Sequence, residues 1–329
     1  MYKVHVLDVG DADAIIVKYA KNENSPCVTV LIDAGNLEDG EKIKNKLDKI
    51  NGKFVINYAF CTHPDKDHKG GFFELLEDRS VVIEKFCLMD PWEYVDLDDF
   101  PRIKNEDSAK KKARACWNHP KDSSKNLIDI AISKKIFCSI SENSYCDDIP
   151  LKVLGPSNNF YREIALGMIS NFAEIEDSPE TDLYDELAEV SEKNAKSIID
   201  EDDDSSYTNM SSLILLFQPK NDKKFLFTGD SCCSGIFDAI TNTDIDLSNC
   251  MLKVPHHGSK HNLNTEIIEM LEPESAVISA KGSRKHPSSG IVYWLSKYCN
   301  VYSTHKSGDL MYTSEKVEYP ASPLKKRIK

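Results

Sequence analysis

Four side chains able to bind metal or move protons fall within six positions, at His63-Pro64-Asp65-Lys66-Asp67-His68. Imidazole and carboxylate packed this densely are a metal-ligand signature. A loop turns alternate side chains toward a common point, so His63 and Asp65 can face one ion. Asp67 and His68 can then face a second. Two divalent ions about 3.5–4 Å apart form the clamp used in many hydrolytic displacements at phosphoryl oxygens. Two later stretches supply further ligand types. Phe225-Leu226-Phe227-Thr228-Gly229-Asp230 is an apolar run ending in a carboxylate, suited to bridging two cations. Leu252-Lys253-Val254-Pro255-His256-His257 is another, ending in two imidazoles. Three such ends in one chain make a coherent set.

Those side chains need rigid elements behind them. Val4 to Leu7, Ala14 to Tyr19, Val28 to Asp33 and Phe54 to Cys61 read as strands, rich in β-branched residues and bounded by polar turns. Leu37 to Ile50 has helical spacing, with Ile43, Leu47 and Ile50 on one face. Leu151 to Leu154, Leu213 to Phe217, Lys224 to Thr228, Leu252 to Pro255 and Ala276 to Ser279 are further strands. Leu263 to Leu271 and Ile291 to Tyr298 read as helices, followed by short strands near Val301 and Leu310. Strand ends carrying polar residues are where α/β proteins place their sites. Gly70-Gly71 lets the chain enter a helix close to the cluster.

Two stretches break this pattern. Residues 90–150 read as irregular, and Lys110-Lys111-Lys112 within them reads as a solvated helix face. Residues 160–205 read as an acidic insertion, part helical and part mobile. Between Ala173 and Asp204 there are fourteen Asp or Glu against two Lys. The expectation is a single domain over 1–320 and a basic, disordered tail over 321–329.

Composition narrows the class. The 329 residues carry a formal net charge of -13, so most of the surface repels a phosphate backbone. A nucleic-acid or nucleotide substrate would then need a local positive centre, which a metal pair provides. None of the ten cysteines is spaced C-x-x-C, which argues against a zinc ribbon or a thioredoxin motif. Cys232-Cys233 reads as the start of a helix. No apolar run approaches the roughly 20 residues of a membrane span, and the N-terminus has no signal-peptide pattern. The expectation is a soluble, cytoplasmic protein.

These residues resemble the metallo-β-lactamase fold superfamily, specifically its ComEC-like branch of metal-dependent hydrolases. The usual motif is H-x-H-x-D-H. This chain has His63-x-Asp65-x-Asp67-His68, and Asp for the second His is characteristic of that branch. Leu7-Asp8-Val9-Gly10-Asp11-Ala12-Asp13-Ala14, Leu31-Ile32-Asp33-Ala34-Gly35 and Val153-Leu154-Gly155-Pro156 agree in order. So do Asn209-Met210-Ser211-Ser212-Leu213, Thr228-Gly229-Asp230, His256-His257-Gly258-Ser259, Lys285-His286-Pro287 and Ser303-Thr304-His305-Lys306-Ser307-Gly308. The resemblance implies an α/β fold, a metallo-β-lactamase-like four-layer αββα sandwich with inserted segments.

It also implies roles. His63, Asp65, Asp67, His68 and Asp230 would be metal ligands, joined by one of His256 and His257, with His256 favoured and the other facing substrate, and with two divalent ions, Zn²⁺ or Mn²⁺, as cofactors. Asp67, His257 and His286 would be catalytic, acting on a metal-bridged water and the leaving group. Asn209, Ser212, Lys253 and Ser259 would contact substrate. Asp33 is a candidate to hold a metal-binding histidine. Many superfamily members carry a histidine ligand before the Gly-Asp strand, where this chain offers Asn209, Ser211 and Ser212. Added carboxylate moves preference toward harder ions. The expected function is a phosphodiesterase or nuclease on a phosphodiester substrate. The alternatives are a carboxylic ester or lactone hydrolase, or a regulatory protein with structural metals that docks a protein partner through the acidic insertion.

Overall fold

The structure is a computed structural model that describes residues 1–171, 191–220, 223–282, 286–314, 317–318 and 323–328. Its strands, in chain order, are β1 (Tyr2–Val6), β2 (Ile15–Tyr19), β3 (Val28–Ile32), β4 (Lys49–Ile50), β5 (Lys53–Phe60), β6 (Val81–Leu88), β7 (Asn118–His119), β8 (Asp122–Asn126) and β9 (Phe137–Ser139). They continue with β10 (Leu151–Gly155), β11 (Ile214–Lys220), β12 (Lys223–Phe227), β13 (Met251–Lys253), β14 (Ser275–Ile278), β15 (Asn300–Ser303), β16 (Leu310–Thr313) and β17 (Val317–Glu318).

Among the described residues these form two large mixed sheets. The first runs β17-β16-β1-β2-β3-β5-β6-β9 with β4 on β5, and the second runs β10-β11-β12-β13-β14-β15. The β3-β5-β6-β9 half of the first sheet and the β12-β13-β14-β15 half of the second are parallel. Side chains alternate between faces along a strand, and three cores follow. Ile15, Val17, Val30 and Ile32 of the first sheet share one core with Leu215, Phe217, Phe225 and Phe227 of the second. Ile16 and Leu31 point the other way, onto Phe72 and Phe73 of the helix Lys66–Glu77. Leu216 and Leu226 point onto Ile236, Ile268, Ile291 and Leu295 of outer helices. The two sheets therefore face each other, with helices on their outer sides.

Several expectations change. The helix anticipated over Leu37 to Ile50 is only Gly40–Lys44, because Lys49–Ile50 turns back to pair with β5. Residues 90–150 are more regular than their composition suggests. They hold the helices Glu106–Ala113 and Leu127–Ser133, the β7-β8 hairpin and the edge strand β9. A buried ion pair between Arg114 and Asp90 fixes this segment from inside. Lys111 and Lys112 are exposed in the last turn of Glu106–Ala113, where cations favour the helix dipole.

In the acidic stretch, residues 172–190 lie outside the described residues. Asn158–Asn171 and Glu192–Ile199 are helices. The carboxylates that follow cap other helices. Asp200 accepts from the Thr265 amide and hydroxyl, and Asp203 accepts from the amides of Cys233 and Ser234. The described part of the basic tail is likewise docked. Lys325 pairs through its backbone with Val301, and the Ile328 amide donates to the Ser296 carbonyl. No described helix is long and apolar enough to cross a membrane.

Candidate metal centre

The candidate ligands gather at one rim of the two sheets. His63 follows β5, Asp230 follows β12 and the His256-His257 pair follows β13, each within a few residues of the strand end. Asp67 and His68 sit in the first turn of the helix Lys66–Glu77. That helix lies close against the turn after β3, where a Cβ on Gly71 would stand 2.1 Å from the Ala34 carbonyl oxygen.

Three imidazoles are oriented by their Nδ1 atoms. Thr62 donates its hydroxyl hydrogen to Asp33 at 2.7 Å, so the same oxygen accepts from His63 Nδ1–H at 3.0 Å. Asp33 also takes His68 Nδ1–H at 2.8 Å and the Thr62 amide at 2.7 Å. The Ser279 carbonyl, which can only accept, takes His257 Nδ1–H at 2.9 Å. Each neutral ring therefore presents its Nε2 lone pair inward, the arrangement metal-binding histidines adopt.

What they meet is carboxylate. His257 Nε2 is 3.1 Å from Asp67 and 3.9 Å from Asp230. His68 Nε2 is 3.3 Å from Asp230, in a geometry that makes no hydrogen bond. His63 Nε2 is 3.7 Å from Asp65 and 3.9 Å from Asp230. Asp67, His68, Asp230 and His257 offer atoms all within 4.8 Å of one another. His63 and His68 are fully buried, and their Nε2 atoms have no hydrogen-bond partner. Fully buried imidazoles that converge on carboxylates with spare lone pairs fit a divalent cation. Solvent reaches the group over Asp65 and Asp67, whose side chains are 35% and 22% exposed.

The same crowding polarises the groups. Burial disfavours a charged His68, but Asp230 and Asp33 outweigh it and hold its pKa well above the usual imidazole range. Burial likewise opposes a charged His256, and Asp230 and Asp204 push it up to about 9. Burial would raise Asp230, yet His68, His256 and His257 hold it well below the carboxylate range. Imidazoles and carboxylates thus stabilise each other's charged forms, and a cation binding here must displace protons.

Sequence expectation and structure part at the histidine pair. The sequence favours His256 as ligand without excluding His257, and His257 is the one in the four-group cluster. His256 Nδ1 instead faces Asn262 Oδ1 at 3.0 Å and Asp204 at 3.3 Å. The backbone decides this. His256, His257 and Gly258 have φ of 43°, 52° and 82°, three successive left-handed residues that turn the two rings differently. A Cβ on Gly258 would also meet Pro287 at 2.8 Å. The His286 ring lies 5.5 Å from His256 and 6.1 Å from His257; Lys285 of the same motif is outside the described residues.

The expected substrate contacts are placed otherwise. Ser212 is buried and its hydroxyl accepts from the Asp230 amide at 3.0 Å. Ser259 is buried and accepts from the His261 amide. Lys253 is fully buried, its ammonium 2.7 Å from Asp13. These buried side chains brace the rim from inside. Asn209 is 5% exposed and donates to Asp204 at 2.7 Å.

Asp204 and Asn262 were not anticipated. Asp204 is one carboxylate in a run of acids, and nothing in the run marks it. It joins Asn209, Asn262 and His256, while Asn262 Nδ2 also reaches the Asp230 carbonyl at 3.0 Å.

No family model matches the chain. Among curated proteins it is similar to ComE operon protein 3 of Bacillus subtilis (strain 168), 30% identical over 115 residues. That stretch covers 33% of this chain and 14% of the relative, so the likeness spans about one seventh of the relative's length.

Proposed function

We propose that the chain is a metal-dependent hydrolase of the ComEC-like branch, acting as a phosphodiesterase or nuclease on a metallo-β-lactamase-like αββα sandwich. One observation carries the reading. Two buried imidazoles, His68 and His257, each tied through Nδ1 and presenting Nε2, converge with Asp67 and Asp230 at the rim of two sheets, and His63, likewise tied, stands beside them facing Asp65 and Asp230. The likeness to ComE operon protein 3 supports it.

In this reading Asp67, His68, Asp230 and His257 hold one ion, and His63, Asp65 and Asp230 turn toward another. Two such cations, Mn²⁺ or Zn²⁺, would supply positive charge to phosphoryl oxygens and lower the pKa of a water. The chain's own groups do the rest. Asp33 fixes the tautomers of His63, through Thr62, and of His68. Asp67, partly exposed, orients the attacking water from the protein side. His256, held by Asp204 and Asn262, stands beside His286 to give a proton to the leaving oxygen. A chain of net charge -13 attracts no phosphate by its overall field, so the local positive centre carries recruitment as well as chemistry.

The test is a substrate panel with Mn²⁺ or Zn²⁺: bis-p-nitrophenyl phosphate, single-stranded DNA and p-nitrophenyl acetate. Turnover of the phosphodiesters is expected. Metal-loaded protein that cleaves none of them contradicts the reading, and turnover of the carboxylic ester alone moves the chemistry to carbonyl carbon.

A further inference from the structure

Three of the ten cysteines gather at one edge of the first sheet. Cys87 lies in β6 and Cys138 in the edge strand β9, and the two are register partners. Cys146 follows where the chain crosses to the second sheet, its amide donating to the Leu151 carbonyl of β10. All three are free thiols, and none is a candidate metal ligand. We infer that Cys87 and Cys138 are a reversible redox pair, in which a hydroperoxide oxidises Cys138 and Cys87 closes the disulfide.

The sheet brings the two sulfurs together. Neighbouring strands lie about 4.8 Å apart, inside the roughly 4.4–6.8 Å between Cα atoms that a disulfide spans. Register partners also point to the same face. The preceding pair, Phe86 and Phe137, packs against the outer helices, whereas Cys87 and Cys138 turn to the core between the sheets. There the two thiols share a hydrogen bond. Cys146 packs against the same core, yet among the described residues no third thiol, imidazole or carboxylate joins the two sulfurs in a group that could hold a metal. The chemistry offered is therefore thiol oxidation.

The pair is asymmetric. Cys87 is buried, while Cys138 is half-buried at the sheet edge, so an oxidant from solvent meets Cys138 first. The Cys87 thiol and the Lys85 ammonium outweigh burial and Glu93 and hold the Cys138 thiol down to about 6. Cys87 itself, with Cys138 beside it and little solvent, is pushed well above the usual thiol range and keeps its proton. Burial pushes Cys146 up to about 12. A partly exposed thiolate next to a second thiol is the arrangement of a redox-sensing cysteine and its resolving partner.

The steps balance. The Cys138 thiolate attacks one oxygen of hydrogen peroxide. The O–O bond breaks, an S–O bond forms, and hydroxide leaves, which takes up a proton to become water. The sulfur is oxidised by two electrons and the peroxide is reduced. The Cys87 sulfur then attacks the sulfenic sulfur of Cys138. An S–S bond forms, the S–O bond breaks, and the departing hydroxide takes the Cys87 proton as a second water. A dithiol reductant reverses the product by exchange.

The test treats the full chain with hydrogen peroxide, blocks the remaining thiols with iodoacetamide in urea, and maps unreduced tryptic peptides by mass spectrometry. Trypsin releases Cys87 within residues 86–102 and Cys138 with Cys146 within residues 136–152. The expected product is these two peptides joined, with Cys146 alkylated, and its loss on treatment with dithiothreitol. In Cys87→Ser the joined peptide should vanish and dimedone should trap a sulfenic acid at Cys138. If that variant does not fold, the wild-type map decides alone. Cys87 and Cys138 alkylated as fully after peroxide as before it, or a disulfide from Cys138 to Cys146 in place of the joined peptides, overturns the pairing.

Discussion

At the scale of single residues, the centre is made by what stands behind each ligand. Asp33, itself at φ 56°, accepts from Thr62 and His68 and so sets two rings at once. His257 is set by a carbonyl and His256 by the Asp204–Asn262 pair, which gives adjacent histidines separate tasks. His257→Ala should therefore weaken binding of one ion roughly tenfold or more. His256→Ala should keep both ions and lower kcat; equal loss of metal in the two variants would remove the distinction. The charges also predict a pH dependence. Without metal, the raised imidazoles stabilise the fold fully below the ordinary 6.5, and that contribution fades as pH climbs through the folded value, about 9 for His256. The lowered carboxylates Asp67 and Asp230 contribute above the ordinary 3.8 and lose it only in acid. Metal binding, by contrast, improves as protons leave. The gap in Tm between Mn²⁺-loaded and metal-free protein should widen from pH 6.5 to 9, and a narrowing gap would mean that protons and metal do not compete. The ligand cluster was legible in the sequence because acids and histidines interrupt apolar strands there. Which histidine turns inward was not, since consecutive left-handed residues decide it, and Asp204 was hidden among identical neighbours.

At the scale of elements, the strands that carry ligands stood out by their apolar runs, and β5, β12 and β13 lie where those runs are. Strand β6 did not stand out, because Glu84 and Lys85 interrupt its apolar pattern, although Ile83, Phe86, Cys87 and Leu88 are buried between parallel neighbours. The helix after β3 was overestimated, since helical spacing continues through Leu47 although the backbone has already turned. In the acidic run, charge serves helix capping. Asp203 accepts from two amides at the start of the helix Cys233–Thr241, where carboxylate favours both the free N–H groups and the helix dipole. Asp203→Ala should cost about 1 kcal/mol in urea unfolding with metal content unchanged. No loss of stability would show that Asp203 does not cap this helix.

At the scale of the whole molecule, two sheets must be held in register for their rims to make one site. The inner core does this broadly, with Ile15, Val30 and Phe60 against Leu215 and Phe227. Behind the candidate metal centre the tie is ionic. Lys253 at the end of β13 bonds Asp13 from the loop after β1, at 2.7 Å with both groups buried. Removing one partner strands a buried charge, so Lys253→Met should destabilise the protein by about 3–5 kcal/mol. Replacing Asp13 and Lys253 together with apolar residues should cost distinctly less, and equal costs would show that the two charges are not coupled. The layered α/β arrangement was legible from alternating strands and helices. The closure of the two sheets by a buried lysine was not, because a lysine in a strand reads as exposed.

In the proposed function this rim hydrolyses phosphodiesters through metal held by the chain's histidines and aspartates. The most direct measurement is bis-p-nitrophenyl phosphate hydrolysis by wild type and Asp230→Asn, each stripped with chelator and then given Mn²⁺, with bound metal counted in the same samples. Wild-type activity should be lost on stripping and restored by Mn²⁺, and Asp230→Asn should lose at least about a hundredfold with metal content reduced. Metal-replete wild type without hydrolysis, or Asp230→Asn as active as wild type, would contradict it.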